Sequence, residues 1–288
     1  MAFNEFALTY EPGIRVAAFL GVFAVMAAWE AAAPRRRRQQ PRAVRWTGNL
    51  LLVGLDTLLL RFAFPMAAVS FALVAEDRGW GLLAAADLPF WARVLFSVVA
   101  LDFAIWLQHV MFHAVPVLWR LHRVHHADPD FDVTTGARFH PVEIALSMLI
   151  KLAVVGLLGA PALAVLLFEV LLNATAMFNH ANVRLPEGLD RVLRRFVVTP
   201  DMHRVHHSVE DDETNSNFGF NLPWWDRLFG TYRDQPRAGH RAMTIGLREH
   251  REPHEVARLD GLLLLPFRGG VGNYPIGRRH WRNRKSGR

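Results

Sequence analysis

The chain is expected to be an all-α integral membrane protein, a helical bundle of about four to five transmembrane segments with a cytosolic, His-rich helical cap. Three observations predict this. Hydrophobic residues make up 52% of the 288 and the mean hydropathy is +0.14, above the roughly 45–50% apolar content of a soluble domain even with Gly counted. The apolar residues are gathered in blocks, and most of the basic residues behind the net charge of +7 lie beside those blocks, as charges flanking a membrane do. No linker rich in Ser, Gly and Pro interrupts the sequence, so residues 1–288 read as a single integral membrane domain. The charge distribution argues against a nucleic-acid partner. The absence of cysteine removes disulfides, thiolate metal ligands, Fe–S clusters and cysteine nucleophiles.

The first block, Ile14 to Ala33, is about 20 residues long with only Arg15 and Glu30 near its ends, enough for roughly 30 Å of hydrocarbon. Arg35, Arg36, Arg37, Arg38, Arg42 and Arg45 follow the block rather than precede it. It is therefore read as a retained span with cytoplasmic arginines and an external N-terminus, not as a cleaved signal. Thr47 to Val74 is a second span. Its Asp56 and Arg61 are expected to face protein or a cavity, because an unpaired charge in lipid costs about 2.5–3.5 kcal/mol on insertion scales. Glu76 to Pro89 would then lie outside, and Val94 to Phe112 would return the chain to the cytoplasm at His113. Val142 to Phe178 has 37 residues, too many for one span of about 20. Gly159-Ala-Pro161 supplies a turn near its middle, so the block reads as a helical hairpin. That parity places 113–140, 180–207 and the arginine cluster on one face of the membrane.

Eight of the 14 histidines fall in three groups: His109-x-x-x-His113, His122-x-x-His125-His126 and His203-x-x-His206-His207. At that frequency one H-x-x-H-H arises by chance about 0.03 times in such a chain, so two copies point to chemistry. On a helix, positions i, i+3 and i+4 fan their side chains over roughly 100° of one face, wide enough to serve two metal ions. His109 and His113, at i and i+4, can reach the same place. Imidazole suits Zn, Cu, Fe and Ni, and geometry alone does not choose among them. His180 begins the segment after the hairpin, at the depth of the other groups, and is a further candidate ligand. His140 opens the fourth block as a candidate either for ligation or for supporting a ligand. His240, His250, His254 and His280 lie in a polar, Arg-rich tail without paired spacing and are expected to be solvated.

The three boxes resemble those of the fatty acid hydroxylase/sterol desaturase superfamily of membrane di-iron enzymes. Supporting segments are Thr135-Gly-Ala-Arg-Phe-His-Pro-Val-Glu143, Thr199-Pro-Asp-Met-His-Arg-Val-His-His-Ser208 and Asn217-Phe-Gly-Phe-Asn-Leu-Pro-Trp-Trp-Asp-Arg-Leu-Phe-Gly-Thr-Tyr232. The resemblance covers about residues 90–235, followed by a basic tail of about 236–288. It implies a centre of two iron ions at the cytosolic face that uses O2 to hydroxylate or desaturate a lipid. The eight boxed histidines would be ligands and catalytic residues, with His180 as a further ligand by its place between the second and third boxes. Zinc would be an alternative occupant of purified protein, since it stands above Fe(II) in the Irving–Williams order. Some relatives carry a fused cytochrome b5-like domain with a His-Pro-Gly-Gly motif, which is absent here, so a separate electron donor is expected.

Within the superfamily, cleavage of alkyl ether lipids is an alternative to hydroxylation or desaturation. A zinc hydrolase is disfavoured because H-E-x-x-H is missing and eight or nine histidines exceed the three protein ligands of a typical catalytic zinc. A non-enzymatic metal store or transporter is the reading from a different class, but transport would place ionisable groups near the bilayer midplane rather than at one face. Glu169 and Asn173 in the last hairpin either line a substrate passage or join helices. Trp224 and Trp225 read as interfacial anchors, and Glu210-Asp-Asp-Glu213 as a solvated loop. The segment from Arg268 to Arg288 suits contact with anionic lipid or disorder.

Overall fold

The computed structural model describes residues 3–276. Among them the chain is helical without β-strands, and five helical segments are long and apolar enough to cross a membrane. A short α1 (Phe3–Thr9) leads into α2 (Glu11–Ala32), followed by α3 (Arg42–Ala63) and α4 (Ala68–Asp77). Next come α5 (Phe90–Ala114), α6 (Pro116–His126), and the hairpin α7 (Pro141–Leu158) and α8 (Ala162–Asn179). Two short helices, α9 (Glu187–Leu193) and α10 (Pro200–His206), begin the rest of the cap.

The protein is a multi-pass membrane bundle with α8 at its centre: more than half of its apolar window is buried, against 11% for α2 and for α7. Small buried residues of α8, among them Ala162 and Ala164, let neighbouring backbones come close, as spanning helices without a hydrophobic driving force require. Ala68 and Ala72 of α4, Leu101 of α5, Val155 of α7, and Leu166 and Phe168 of α8 form the packed middle. Phe62, Leu157, Leu58 and Leu20 stay exposed on the outer faces, where lipid rather than water is the natural solvent.

The sequence boundaries need one correction here. The expected span from Thr47 to Val74 is two helices, because Pro65 has no N–H to continue the ladder and forces Phe64 into extended geometry (φ −117°, ψ 108°). Asp56 is buried as expected, whereas Arg61 is exposed. Arg61 sits in the last turn of α3, where a long cationic side chain reaches an interface and meets the helix dipole favourably. The hairpin turns where expected. Gly159 ends α7 in the left-handed region (φ 64°), Pro161 precedes α8, and a Cβ on Gly159 would lie 2.1 Å from the Trp80 carbonyl oxygen.

One end of the bundle gathers every polar element of the cap. Arg45, fully buried, reaches Asp128 and Asp132 at 2.7 Å each. Glu30 at the end of α2 accepts from the backbone N–H of Val133 (2.7 Å) and of Asn182 (2.8 Å). Arg35 pairs with Asp201 at 2.8 Å. The arginine cluster and the loops bearing the histidines are therefore at the same end of the molecule. The tail is not solvated throughout. Leu247, Val256, Leu262, Leu265 and Tyr274 pack with Trp119 of α6 and Leu52 of α3, while Arg123 donates to the carbonyls of Leu265 and Gly270 at 2.5 Å each. The part of the tail beyond Ile276 lies outside the described residues.

Candidate metal centre

Box one occupies the last two turns of α5, which exits the bundle toward the cap. Pro116 starts α6 immediately afterwards and turns box two back over box one. Box three lies on α10, capped by Thr199 accepting from the Met202 N–H at 3.4 Å. Nine histidines converge in two groups. His109, His113, His122, His126 and His206 form one, and His125, His180, His203 and His207 form the other. Within each group the donor atoms lie within 4.8 Å of one another. Each H-x-x-H-H triplet is divided: the i, i+4 pair enters one group and the remaining residue the other, as the angular fan of a helix allows. None of the nine is more than 3% exposed.

The orientation of the rings follows from what surrounds them. His109 Nδ1–H donates to the Phe218 carbonyl (2.8 Å), His206 to Ser216 (2.7 Å), His180 to Ala176 (2.7 Å) and His125 to Arg138 (3.3 Å). His122 Nδ1–H donates to the Glu143 carboxylate at 2.6 Å, and His113 to Asn215 Oδ1 at 3.2 Å. With the proton committed to Nδ1, a neutral ring presents its Nε2 lone pair. His109 Nε2 lies 3.0 Å from the Nε2 of both His122 and His206, and His125 Nε2 lies 3.1 Å from that of His180. No proton remains between these rings, so lone pair faces lone pair. A shared cation turns that repulsion into ligation, and the buried nitrogens of His207 and Nδ1 of His203 lack partners altogether.

The electrostatics favour the neutral form that a metal needs. Burial takes His122 and His180 down to about 3. Burial, reinforced by neighbouring imidazoles, holds His125, His126, His203, His206 and His207 well below the ordinary value. The donor set of nine imidazoles, with carbonyls and one carboxylate behind them, fits two divalent borderline metal ions.

His140 belongs to neither group. Its Nδ1 accepts from the Val142 N–H at 3.2 Å and caps α7. His240 and His250, expected in solvent, are buried at 6% and 8% exposure. The reason is the folded tail: the Arg36 guanidinium binds the His240 carbonyl, and His240 Nε2 lies 3.6 Å from Asp201. Burial pushes His240 down to about 4. His254 is exposed, and His280 lies outside the described residues. Glu213 of the acidic run is buried as well, accepting from the Arg237 N–H at 2.7 Å.

Sequence reasoning assigned no role to Glu143, Ser216 or Phe218. Glu143 could have been noticed as a carboxylate in the first turn after His140-Pro141. The two carbonyls carry no side-chain signal. Asp226 organises the loop that presents one of them, accepting from the N–H groups of Phe218 (2.9 Å) and Gly219 (2.8 Å) and from Trp106 (3.1 Å). Trp225 is bound inward rather than anchored at an interface, donating to Asp102 at 2.7 Å, while Trp224 is exposed.

A cavity of about 360 Å³ opens beside the first group, between α2, α3, α5, α7 and α8. His109 and His122 form one wall, and Ile105, Phe112, Phe139 and Met148 much of the rest. Glu169 lines the cavity and also joins helices: it binds Lys151 at 2.5 Å and Arg15 at 2.7 Å, tying α8 to α7 and α2.

Residues 94–231, which contain all nine clustered histidines, match the family described as fatty acid hydroxylase. An ornithine lipid hydroxylase of Rhizobium tropici is 31% identical over 179 residues, covering 61% of this chain and 52% of that protein. An alkylglycerol monooxygenase of Xenopus tropicalis is 28% identical over 141 residues, 47% of this chain and 29% of the relative. A cholesterol 25-hydroxylase of Homo sapiens is 26% identical over 142 residues, covering 49% and 51%. The chain spans about half or less of the length of these relatives. No solved structure matches. Through residues 94–231, the stretch that builds the two histidine groups, the chain matches the fatty acid hydroxylase family.

Proposed function

We propose that the protein is a membrane-bound non-haem di-iron oxidoreductase that uses O2 to oxidise a C–H bond of a lipid. The observation that carries this reading is the pair of buried, neutral imidazole groups, one of which forms the wall of an apolar cavity within the bundle. His109, His113, His122, His126 and His206 would hold one iron and His125, His180, His203 and His207 the other. Iron ions bound there would supply O2 activation, with one oxygen atom going to the lipid and the other leaving as water after reduction by two electrons from the separate donor. The chain's own residues keep the site dry, fix six of the nine rings through Nδ1–H, and admit a lipid chain along the wall formed by His109 and His122. The relatives are named as hydroxylases and monooxygenases, which favours oxygen insertion over desaturation. A separate electron donor would approach from the cap, and the arginine cluster at that end supports a cytoplasmic side for it by the positive-inside rule. Zinc is the expected substitute in protein purified without added iron.

The test compares lipids extracted from cells expressing the wild type and His206→Ala under heavy-isotope O2. A lipid carrying the isotope only with the wild type supports the reading. Equal lipid profiles, with the wild-type protein present and metal-loaded, would sink it and favour a metal store. The nature of the labelled product, a hydroxylated chain or the fragments of a cleaved ether, separates the two oxygenase outcomes.

A further inference from the structure

Beside the imidazole wall, the cavity is lined by three side chains whose oxygens are not satisfied. Asp56 of α3, Gln108 of α5 and Glu143 of α7 all line it, and Asp56 Oδ1, Gln108 Oε1 and Glu143 Oε2 each lack a hydrogen-bond partner. Two of the three are otherwise engaged. Gln108 spends its amide on Ser147 Oγ at 2.8 Å, and Glu143 spends its other oxygen on His122. Among the described residues the Asp56 side chain has neither a hydrogen bond nor an ion pair, although it is only 6% exposed and lies in a membrane-spanning segment. The cations in the same cavity are already committed: Lys151 and Arg15 both bind Glu169, and Arg15 binds Glu11 as well at 2.9 Å.

Buried polar groups are normally paired, and an ionisable group within a span without a partner marks a functional position. Gln108 Oε1 is an acceptor, and so are Asp56 Oδ1 and Glu143 Oε2 when their carboxyl groups are ionised. To such acceptors a plain hydrocarbon chain, an ester or an ether offers nothing, whereas a hydroxyl or an ammonium group brings the missing protons.

We infer that Asp56, with Gln108 and Glu143, recognises a hydrogen-bond donor on the lipid substrate, a hydroxyl or ammonium group, and so selects which carbon lies against His109 and His122. This rests on the lipid-oxidation reading above, and deepens it by naming the substrate's chemical class. Asp56 is on this reading a specificity-determining residue, not a ligand. Its carboxyl holds the donor while the apolar walls take the chain.

The experiment measures binding without turnover, so its failure is distinct from failure of the oxygenase reading. Full-length, metal-loaded protein in nanodiscs is held anaerobically, and four single-chain probes of equal length compete for the cavity: hexadecanol, hexadecylamine, hexadecyl methyl ether and hexadecanoate. Only the first two carry a donor in their usual charge state. At least one of them should bind ten-fold or more tighter than the ether and the acid. In Asp56→Leu the preference should fall to within about three-fold, and because no ion pair is lost, Tm should be unchanged or raised. Asp56→Asn separates the two chemistries: a hydroxyl-selective site keeps its preference, and an ammonium-selective site loses it. Equal binding of all four probes by the wild type would overturn the inference, as would a preference that survives in Asp56→Leu, which would assign it to the metal ions. A large fall in Tm for Asp56→Leu with binding unchanged would make Asp56 a structural residue and likewise overturn it.

Discussion

Each ring in the two histidine groups is worth what its partners make of it. His206 presents its lone pair 3.0 Å from that of His109 while its other nitrogen donates to Ser216, so His206→Ala removes a donor atom and leaves a void in a dry site. Iron content per chain and lipid turnover should both collapse, whereas His254→Ala, at an exposed position, should leave both within about two-fold of wild type, in line with neutral surface changes. Metal analysis beside a turnover assay checks the pair. Glu143→Ala leaves every imidazole in place but frees His122 Nδ1 from its 2.6 Å carboxylate partner. Loss of such a support typically costs about 10–100-fold in metal affinity or activity, so a metal titration should show an intermediate affinity, weaker than wild type and stronger than His206→Ala. An unchanged affinity would show that ring orientation is fixed by packing alone.

Helices and their junctions hold the groups in register. Arg45 of α3 is the pin between the bundle and the loop after box two, bound bidentately to Asp128 and once to Asp132. Removing one partner of a buried ion pair costs about 3–5 kcal/mol, because the remaining charge is stranded. Here Arg45→Ala strands two carboxylates. Thermal unfolding in micelles should show a large fall in stability, and a loss below about 1 kcal/mol would mean that Arg138, whose Nη1 lies 3.7 Å from Asp128, takes over. At the opposite end, Gly159→Ala places a methyl group against the Trp80 carbonyl at a positive φ. Strain of this kind costs about 1–3 kcal/mol. Gly188→Ala, whose added Cβ would meet nothing within 4 Å, should be neutral or slightly stabilising by comparison.

At the scale of the whole molecule, the fold makes a claim about sidedness that labelling can check. The arginine cluster and the cap share one end, while Asp77 and the hairpin turn share the other: Glu76 Oε2 accepts from the Ala162 N–H at 2.9 Å, and the Leu82 N–H bonds the Leu157 carbonyl at 3.0 Å. The chain has no cysteine of its own, so single substitutions report cleanly. With a membrane-impermeant thiol reagent applied to intact cells, Asp87→Cys should be labelled, and Arg37→Cys and Arg241→Cys, both exposed, only after the membrane is opened. Labelling of Arg241→Cys and Asp87→Cys from the same side would refute the shared-end arrangement. Labelling of Arg37→Cys and Arg241→Cys on intact cells, with Asp87→Cys protected, would invert the bundle.

The spans, the hairpin and the three boxes were legible because they rest on local rules: hydrophobic length against bilayer thickness, the turn chemistry of Gly159 and Pro161, and helical spacing that sets imidazoles on one face. Those rules hold whatever the chain packs against. They extended as far as the division of each triplet between two places, since i, i+3 and i+4 diverge on any helix. The sequence could not say which rings would meet. That depended on α6 folding back over α5 and on α10 packing against α8 so that His206 reaches His109, and it decided that His180 sits with His125, His203 and His207 while His140 caps a helix instead. Burial of His240, His250 and Glu213 was equally non-local, because the tail's polar composition conceals six buried residues, Val271 among them, that find Trp119 and Leu52 only in three dimensions. The pairing of Arg15 with Glu169 across 154 positions, and the lack of a partner for the Asp56 side chain among the described residues, are of the same kind. Whether a buried charge is neutralised is settled by what the other helices bring to it, and no window along one helix contains that information.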